Sequence, residues 1–320
     1  MGREFRFLDE GEVGLREEIG TSEISDLLSD DTLTLLLKAL REEVKETWRQ
    51  AVTVVPSVRQ TETYAGLTEA PLPEEVDEGE EFSMNWDFRA EGPTLKNKKY
   101  GKIIPITVEA FEDDRTGALK DLAFSMAENV TLHKNKTIFG LINTGSNDTC
   151  YDAADVIDVS GGHPPVTGGA AATVNINGYS LGNLTEANLE ALLASMAGWQ
   201  RRDGEKGEYT VKAIYVHPNQ LPAALRLMGS PVQVGTNAGH ALNIHATDNY
   251  AIISSPYFDA GRWGFLTTVK GYVYQQRTPL TVLQLVRGTG MNFLRDIEAV
   301  RVRERWRAGF MDWRSVMQGN

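Results

Sequence analysis

The run "PITVEAFEDDRTGALKDLAFSMAENVTLHKNKTIFGLIN", Pro105 to Asn143, changes character in its middle. Its start continues the β-favouring "KIIPIT". Beyond Glu112, Asp113 and Asp114 the apolar residues Leu119, Leu122, Ala123, Met126, Ala127, Val130, Ile138 and Leu141 fall on one helical stripe. Acids at the head of such a stripe accept the orphan amide hydrogens of the first turn and complement the helix dipole, so Asp113 and Asp114 read as caps. A catalytic carboxylate pair would need surroundings that separate the two pKa values, and neither His nor Lys stands in the same turn to supply them. The stretch is a strand feeding one long amphipathic helix.

Upstream, "SDDTLTLLLKALREEVKETWRQ" places Leu33, Leu37, Leu40, Val44 and Trp48 on one helical face, behind a polar, acidic stretch from Met1 to Asp31. Between Val52 and Thr107 short β-favouring runs alternate with "EAPLPEEVDEGEE" and "AEGPTLKNKKYG", the pattern of long hairpins. This ribbon has too little apolar surface to fold on itself. Its bend carries Glu74, Glu75, Asp77, Glu78, Glu80 and Glu81.

Downstream comes a Gly- and Asp-rich loop containing "SGGHPPVTGG", then a second amphipathic helix, "LTEANLEALLASMAGWQRR", with Thr185 as its cap. "YTVKAIYV" reads as a buried strand, "HPNQLPAALRLMGS" as a turn and short helix, and "YAIISSPYF", "WGFLTTV", "TVLQLV" and "AVRVRERWRAGFMDW" as strands separated by turns. In the last of these, Arg301, Arg303, Arg305 and Arg307 alternate, so all four share a face, opposite Val302, Trp306 and Ala308. Glu304 breaks the apolar side. Such a row can be a plain solvated face, a partner for acidic neighbours, or a contact for polyanion. The acidic chain favours pairing between subunits over nucleic acid.

The net charge of −12 is unevenly placed: residues 1–95 hold 23 acids against 9 Lys and Arg, a balance of −14, and the remainder comes to +2. An acidic protein makes a poor nonspecific DNA binder. One cysteine, Cys150, excludes an intrachain disulfide and fits a reducing compartment. No apolar run is long enough to span a bilayer, and Met1 to Gly20 has acids where a secretory signal is apolar. His217, His240 and His245 lack metal-ligand spacing and bring no carboxylate pair. "RGTGMNF" lacks a third glycine, "NTGS" has Asn143 where an aspartic protease needs a carboxylate, and Ser146 has no nucleophile elbow. Neither catalysis nor a cofactor or metal is indicated.

The order of the pieces resembles a known family. An acidic arm, a long hairpin, "YGKIIPITVEAFEDDRTGAL" into a spine helix, "VKAIYVHPNQLPAALRLMGS", "SPYFDAGRWGFL" and the closing "FLRDIEAVRVRERWRAGFMDWR" are similar to the major capsid proteins of tailed bacteriophages, most closely the Mu-like major head subunit group. The resemblance implies an α+β fold of the Hong Kong 97 type. Its parts would be an N-terminal arm (1–52), an extended loop (53–104), a peripheral domain (105–178 and 295–314) and an axial domain (179–294 and 315–320). It implies self-association into pentamers and hexamers, with separate scaffolding, portal and decoration proteins and only weak contact with packaged DNA, in a virion assembled in the bacterial cytoplasm. Contacts between subunits would then use the acidic bend and the four arginines. The alternatives are an encapsulin-like cellular shell of the same fold and a soluble hydrolase using Asp113, Asp114 and His133.

Overall fold

The computed structural model describes residues 46–64, 66–67, 72–73, 75–82, 90–107, 109, 118–145, 150, 152, 154–165, 175–229, 245, 250–284 and 297–319. The caps Asp113 and Asp114, the helical stripe from Leu33 to Val44, Glu74 and His240 lie outside these residues. No described helix is long and apolar enough to cross a membrane.

Two four-stranded sheets organise the chain. The first has the order β1 (Thr53–Pro56), β10 (Tyr272–Gln284), β11 (Ile297–Phe310), β6 (Lys98–Thr107), with β1 and β10 parallel and the other pairs antiparallel. The second has the order β12 (Val316–Gln318), β9 (Trp263–Thr267), β7 (Val211–Val216), β8 (Ala251–Ser254). Two short ladders, β2 (Thr61–Thr63) with β5 (Thr94–Lys96) and β3 (Gly66–Leu67) with β4 (Ala90–Glu91), form a hairpin stem rising from the first sheet. "TVLQLV" begins no separate strand: Thr281–Gln284 is the end of β10, and the ladder slips register around Pro279, which has no amide hydrogen to give it.

Helix α1 is one turn, Trp48–Ala51, and the long helix α2 is Ala118–Asn143, about 39 Å at the α-helical rise. Met126, Ile138, Phe139 and Ile142 of α2 are buried. The helix lies on the face of the first sheet that carries Val302, Glu304 and Trp306. There Lys134 Nζ sits 2.7 Å from Glu304 Oε2, with the two side chains only 9% and 6% exposed. Trp306 Nε1 donates to the other carboxylate oxygen at 2.7 Å. Aromatic rings enclose the pair: Trp48 against Tyr274 at 4.5 Å, Tyr274 against Trp306 at 5.2 Å, and Tyr100 against Trp306 at 4.6 Å. Asn135 Oδ1 accepts from the Trp48 amide and the Thr47 hydroxyl, which fastens α1 to the same turn of α2. Glu304, the exception on an apolar strand face, is thus the helix's anchor.

The second sheet carries α3 (Glu186–Met196) and α4 (Leu221–Gly229). Thr185 caps α3 through its hydroxyl, as the sequence predicts, accepting from the Asn188 amide at 3.3 Å. One hydrophobic cluster runs through both sheets, joining Trp48, Ile138 and Trp306 to Ile214, Phe265 and Trp313. The link from β11 to β12 is a 3-10 turn, Trp313–Ser315, and buried polar groups hold it. Asn177 donates to the carbonyls of Val156, Trp313 and Val316, and the His163 ring stacks on Trp313 at 4.6 Å with its Nδ1 2.7 Å from Asp152. Arg314 binds both Asp312 oxygens and the Tyr209 hydroxyl.

Two measurable consequences follow from the buried charges. Replacing Lys134 by Met strands the Glu304 carboxylate and should cost about 3–5 kcal/mol in urea unfolding of the dissociated protein, whereas Lys134→Met with Glu304→Gln should recover most of it. For Asp312, burial pushes the carboxyl up, but the Arg314 guanidinium and its hydrogen bonds outweigh that and hold it below the ordinary value of 3.8. The resulting stability is complete above that value and lost as pH falls through the lower folded one. Asp312→Asn should therefore be less stable than the parent at pH 7, and the difference should shrink between about pH 4 and 2.

Candidate assembly surface

Among the described residues no helix packs on the other face of the first sheet. Along β11, Val302, Glu304, Trp306 and Ala308 are buried, Arg301 is exposed, and Arg303, Arg305 and Arg307 are partly exposed, so the predicted alternation is present in the structure. Register places Arg301 between Leu283 and Ile103, Arg303 between Thr281 and Gly101, Arg305 between Thr278 and Lys99, and Arg307 beside Gln275. Gly101 is required there, since a Cβ would lie 2.7 Å from the Val302 carbonyl oxygen. Ile103 and Leu283 are 47% and 38% exposed, which gives the basic row an apolar end.

Among the described residues no carboxylate lies within ion-pair distance of the four arginines. The Nε atoms of Arg303 and Arg305 are buried with no hydrogen-bond partner. Lys99 adds a like charge directly opposite Arg305. Among the described residues this face is repulsive and incompletely hydrogen-bonded.

The hairpin is rigid at its root and bare at its far end. Asn97 is buried, and its side-chain amide donates to Ser57 Oγ and the Arg59 carbonyl, each at 2.8 Å. Glu62 accepts from the amides of Val58 and Arg59 and from Ser57 Oγ, and these bonds, the Arg59 amide first, lower its pKa. Tyr64 donates to Gln275 at 2.8 Å, and Leu95 packs where a side chain on Gly309 would stand. Farther out, Glu75, Asp77, Glu78, Glu80 and Glu81 are all exposed, and Phe82 is 81% exposed beside them. The structure does not join these acids to the arginines by any ion pair among the described residues.

Chemistry-bearing residues are engaged structurally. Asn143, at the end of α2, donates to the Tyr257 carbonyl and accepts from the Asp259 amide. His133 lies against Tyr100 at 4.7 Å and Trp306 at 5.8 Å, and burial lowers its pKa. It borders a groove of about 460 Å³ between α2 and the sheet, lined by Tyr100, Ile104, Met126, Val130, Leu280 and Val302 among others. His217 pairs with Asn219. What the sequence could not reveal is a cluster of Glu186, Glu190 and His245, whose members come from segments far apart in the chain.

Two sheets, a spine helix fastened across one of them and a projecting hairpin make up the described architecture. The capsid of a native GTA particle has the same fold, with a TM-score of 0.55 at 13% identity over 96% of each chain. So does the cyanophage P-SCSP1u capsid, with a TM-score of 0.53 at 11% identity over 84% of this chain and 85% of that one. The virus-like particle of Pyrococcus furiosus matches at 0.50 with 10% identity, over 90% and 97%. The fold is of the Hong Kong 97 type. Residues 90–317 match the family described as phage capsid protein, and the chain belongs to that family. The Mu-like prophage FluMu major head subunit of Haemophilus influenzae is 22% identical over 246 residues, 76% of this chain and 73% of that protein. The chain is a structural protein of a phage capsid shell, and the family match does not favour the cellular-shell alternative.

The repulsive face can be tested in the dissociated subunit. Like charges directly opposite on neighbouring strands are unfavourable, so Arg305→Gln should raise subunit stability by about 0.2–1 kcal/mol in low-salt urea unfolding, less in high salt. A loss of stability would mean that the row already has its counter-charge inside the subunit.

Proposed function

We propose that copies of this chain assemble into the icosahedral head of a tailed bacteriophage, enclosing its double-stranded DNA, and that the chain has no catalytic role. Assembly would take place in the host bacterial cytoplasm, with separate scaffolding, portal and decoration proteins. The observation that carries the reading is a mismatch inside one subunit. The arginine row on β11 lacks carboxylate partners among the described residues, and the same chain holds exposed carboxylates at the end of a projecting hairpin. Among the described residues the two do not meet within one copy, and contact between copies would join them.

In this reading Arg301, Arg303, Arg305 and Arg307 of one subunit meet Glu74, Glu75, Asp77, Glu78, Glu80 and Glu81 of the next. The apolar end at Ile103 and Leu283 receives an apolar residue from the same hairpin. The sheet β1-β10-β11-β6 with α2 makes the peripheral domain, with Asp113 and Asp114 capping the spine, and the sheet β12-β9-β7-β8 with α3 and α4 makes most of the axial domain. Tyr272–Gln284 thus goes with the peripheral sheet into which it is hydrogen-bonded. DNA contact is weak because the chain is acidic. A hydrolase centred on His133 is disfavoured, since that ring packs against Tyr100 and Trp306.

Single exposed pairs contribute about 0–1 kcal/mol, so two charges should be reversed at once. Arg303→Glu with Arg307→Glu should leave a folded, soluble subunit by circular dichroism and abolish shells in negative-stain micrographs. Lysines at Glu78 and Glu80 in the same chain should restore them. Shells that form normally but lack DNA would show instead that the row faces the packaged genome.

A further inference from the structure

We propose that Glu186, Glu190 and His245 form a site for one borderline divalent cation of the zinc class. The inference is independent of the shell reading. Glu186 and Glu190 stand four apart on α3, so both project from one side of the helix. His245 arrives from the chain between α4 and β8, and one ligand atom from each of the three residues lies within 4.8 Å of the others. The carboxylate pair that His245 lacks in its own segment is supplied by a helix more than fifty residues upstream.

Two features set this cluster apart from an ordinary surface group of acids. The His245 side chain is only 5% exposed, so the imidazole is held by its surroundings, whereas Glu190 is 52% exposed and free to adjust. His245 Nε2 lies 3.6 Å from Glu190 Oε1, beyond the length of a good hydrogen bond. Two tetrahedral ligands each about 2.1 Å from zinc are separated by about 3.4 Å, close to the spacing observed here. Glu190, which is half exposed, is the ligand with room to turn toward the other two. One nitrogen and two carboxylate oxygens suit zinc or its surrogate cobalt, and a fourth position remains for water or a neighbouring group. Two carboxylates with a neutral imidazole balance a dication. A bound ion would tie α3 to the chain entering β8, a link that no covalent bond supplies.

The test uses the full chain, stripped with chelator and titrated with cobalt(II), reading the visible d–d absorption, followed by competition with zinc(II). The expected result is one equivalent per chain, displaced by zinc, with a higher melting temperature in the bound form. Glu190→Gln, an exposed substitution that leaves the fold intact, should weaken binding at least about tenfold, the loss that even outer-shell partners of a metal cause. His217→Ala should leave binding unchanged. Absence of stoichiometric binding would overturn the proposal, and so would binding that survives Glu190→Gln, because the ion would then sit on another histidine. Melting temperatures of Glu190→Gln measured without metal would separate loss of the ion from loss of a simple ion pair.

Discussion

The contact between Lys134 and Glu304 constrains everything around it. Burying a carboxylate in a wall of Trp48, Tyr100, Tyr274 and Trp306 is tolerable only if an ammonium and a donor meet it, and Lys134 and Trp306 Nε1 do so at 2.7 Å each. An ion pair of this kind adds less net stability than apolar packing would, but it is intolerant of displacement. Sliding α2 by one turn would part both charges in a nonpolar setting. The pair therefore sets where along the sheet the helix lies, while the aromatic rings and Ile138, Phe139 and Ile142 supply the burial.

A helix on one face of a sheet leaves the other face to find its own cover. Strand alternation makes this unavoidable: once Val302, Glu304, Trp306 and Ala308 are committed to the helix, Arg301, Arg303, Arg305 and Arg307 must point the opposite way. The same logic acts on the hairpin. Its root is ordered by Asn97, Glu62 and Tyr64 bonding to the chain below, but its far end carries acids and an exposed Phe82, for which the described residues show no packing. Among the described residues neither surface has a cover.

Much of the fold was legible because it rests on local periodicity. The helix from Ala118 to Asn143, the alternation from Arg301 to Arg307, the cap at Thr185 and the buried run of β7 depend on neighbours in sequence and are present in the structure. What was not legible depends on partners brought from afar. Glu304 looked like an error in an apolar face until Lys134 arrived from a helix 170 residues earlier. "TVLQLV" looked like a strand of its own because Pro279 interrupts the pattern, whereas the ladder absorbs the proline as a register slip. His245 has a single acid, Asp248, beside it in sequence, and the packing of α3 brings it a carboxylate pair.

The energetics favour this division of labour. A subunit that must fold alone and later join many copies benefits from strong, buried, position-setting contacts within itself and weak, screened, numerous ones between copies. A capsid contact worth many kcal/mol would trap misassembled shells, whereas exposed charge pairs of about 0–1 kcal/mol can break and re-form until the register is right. The chain keeps its desolvated ion pairs, Lys134–Glu304 and Asp312–Arg314, inside the subunit, and leaves to its surface a row of arginines and a string of acids that salt can loosen. Rigidity is placed where an error would unfold the subunit, and reversibility where an error must be corrected.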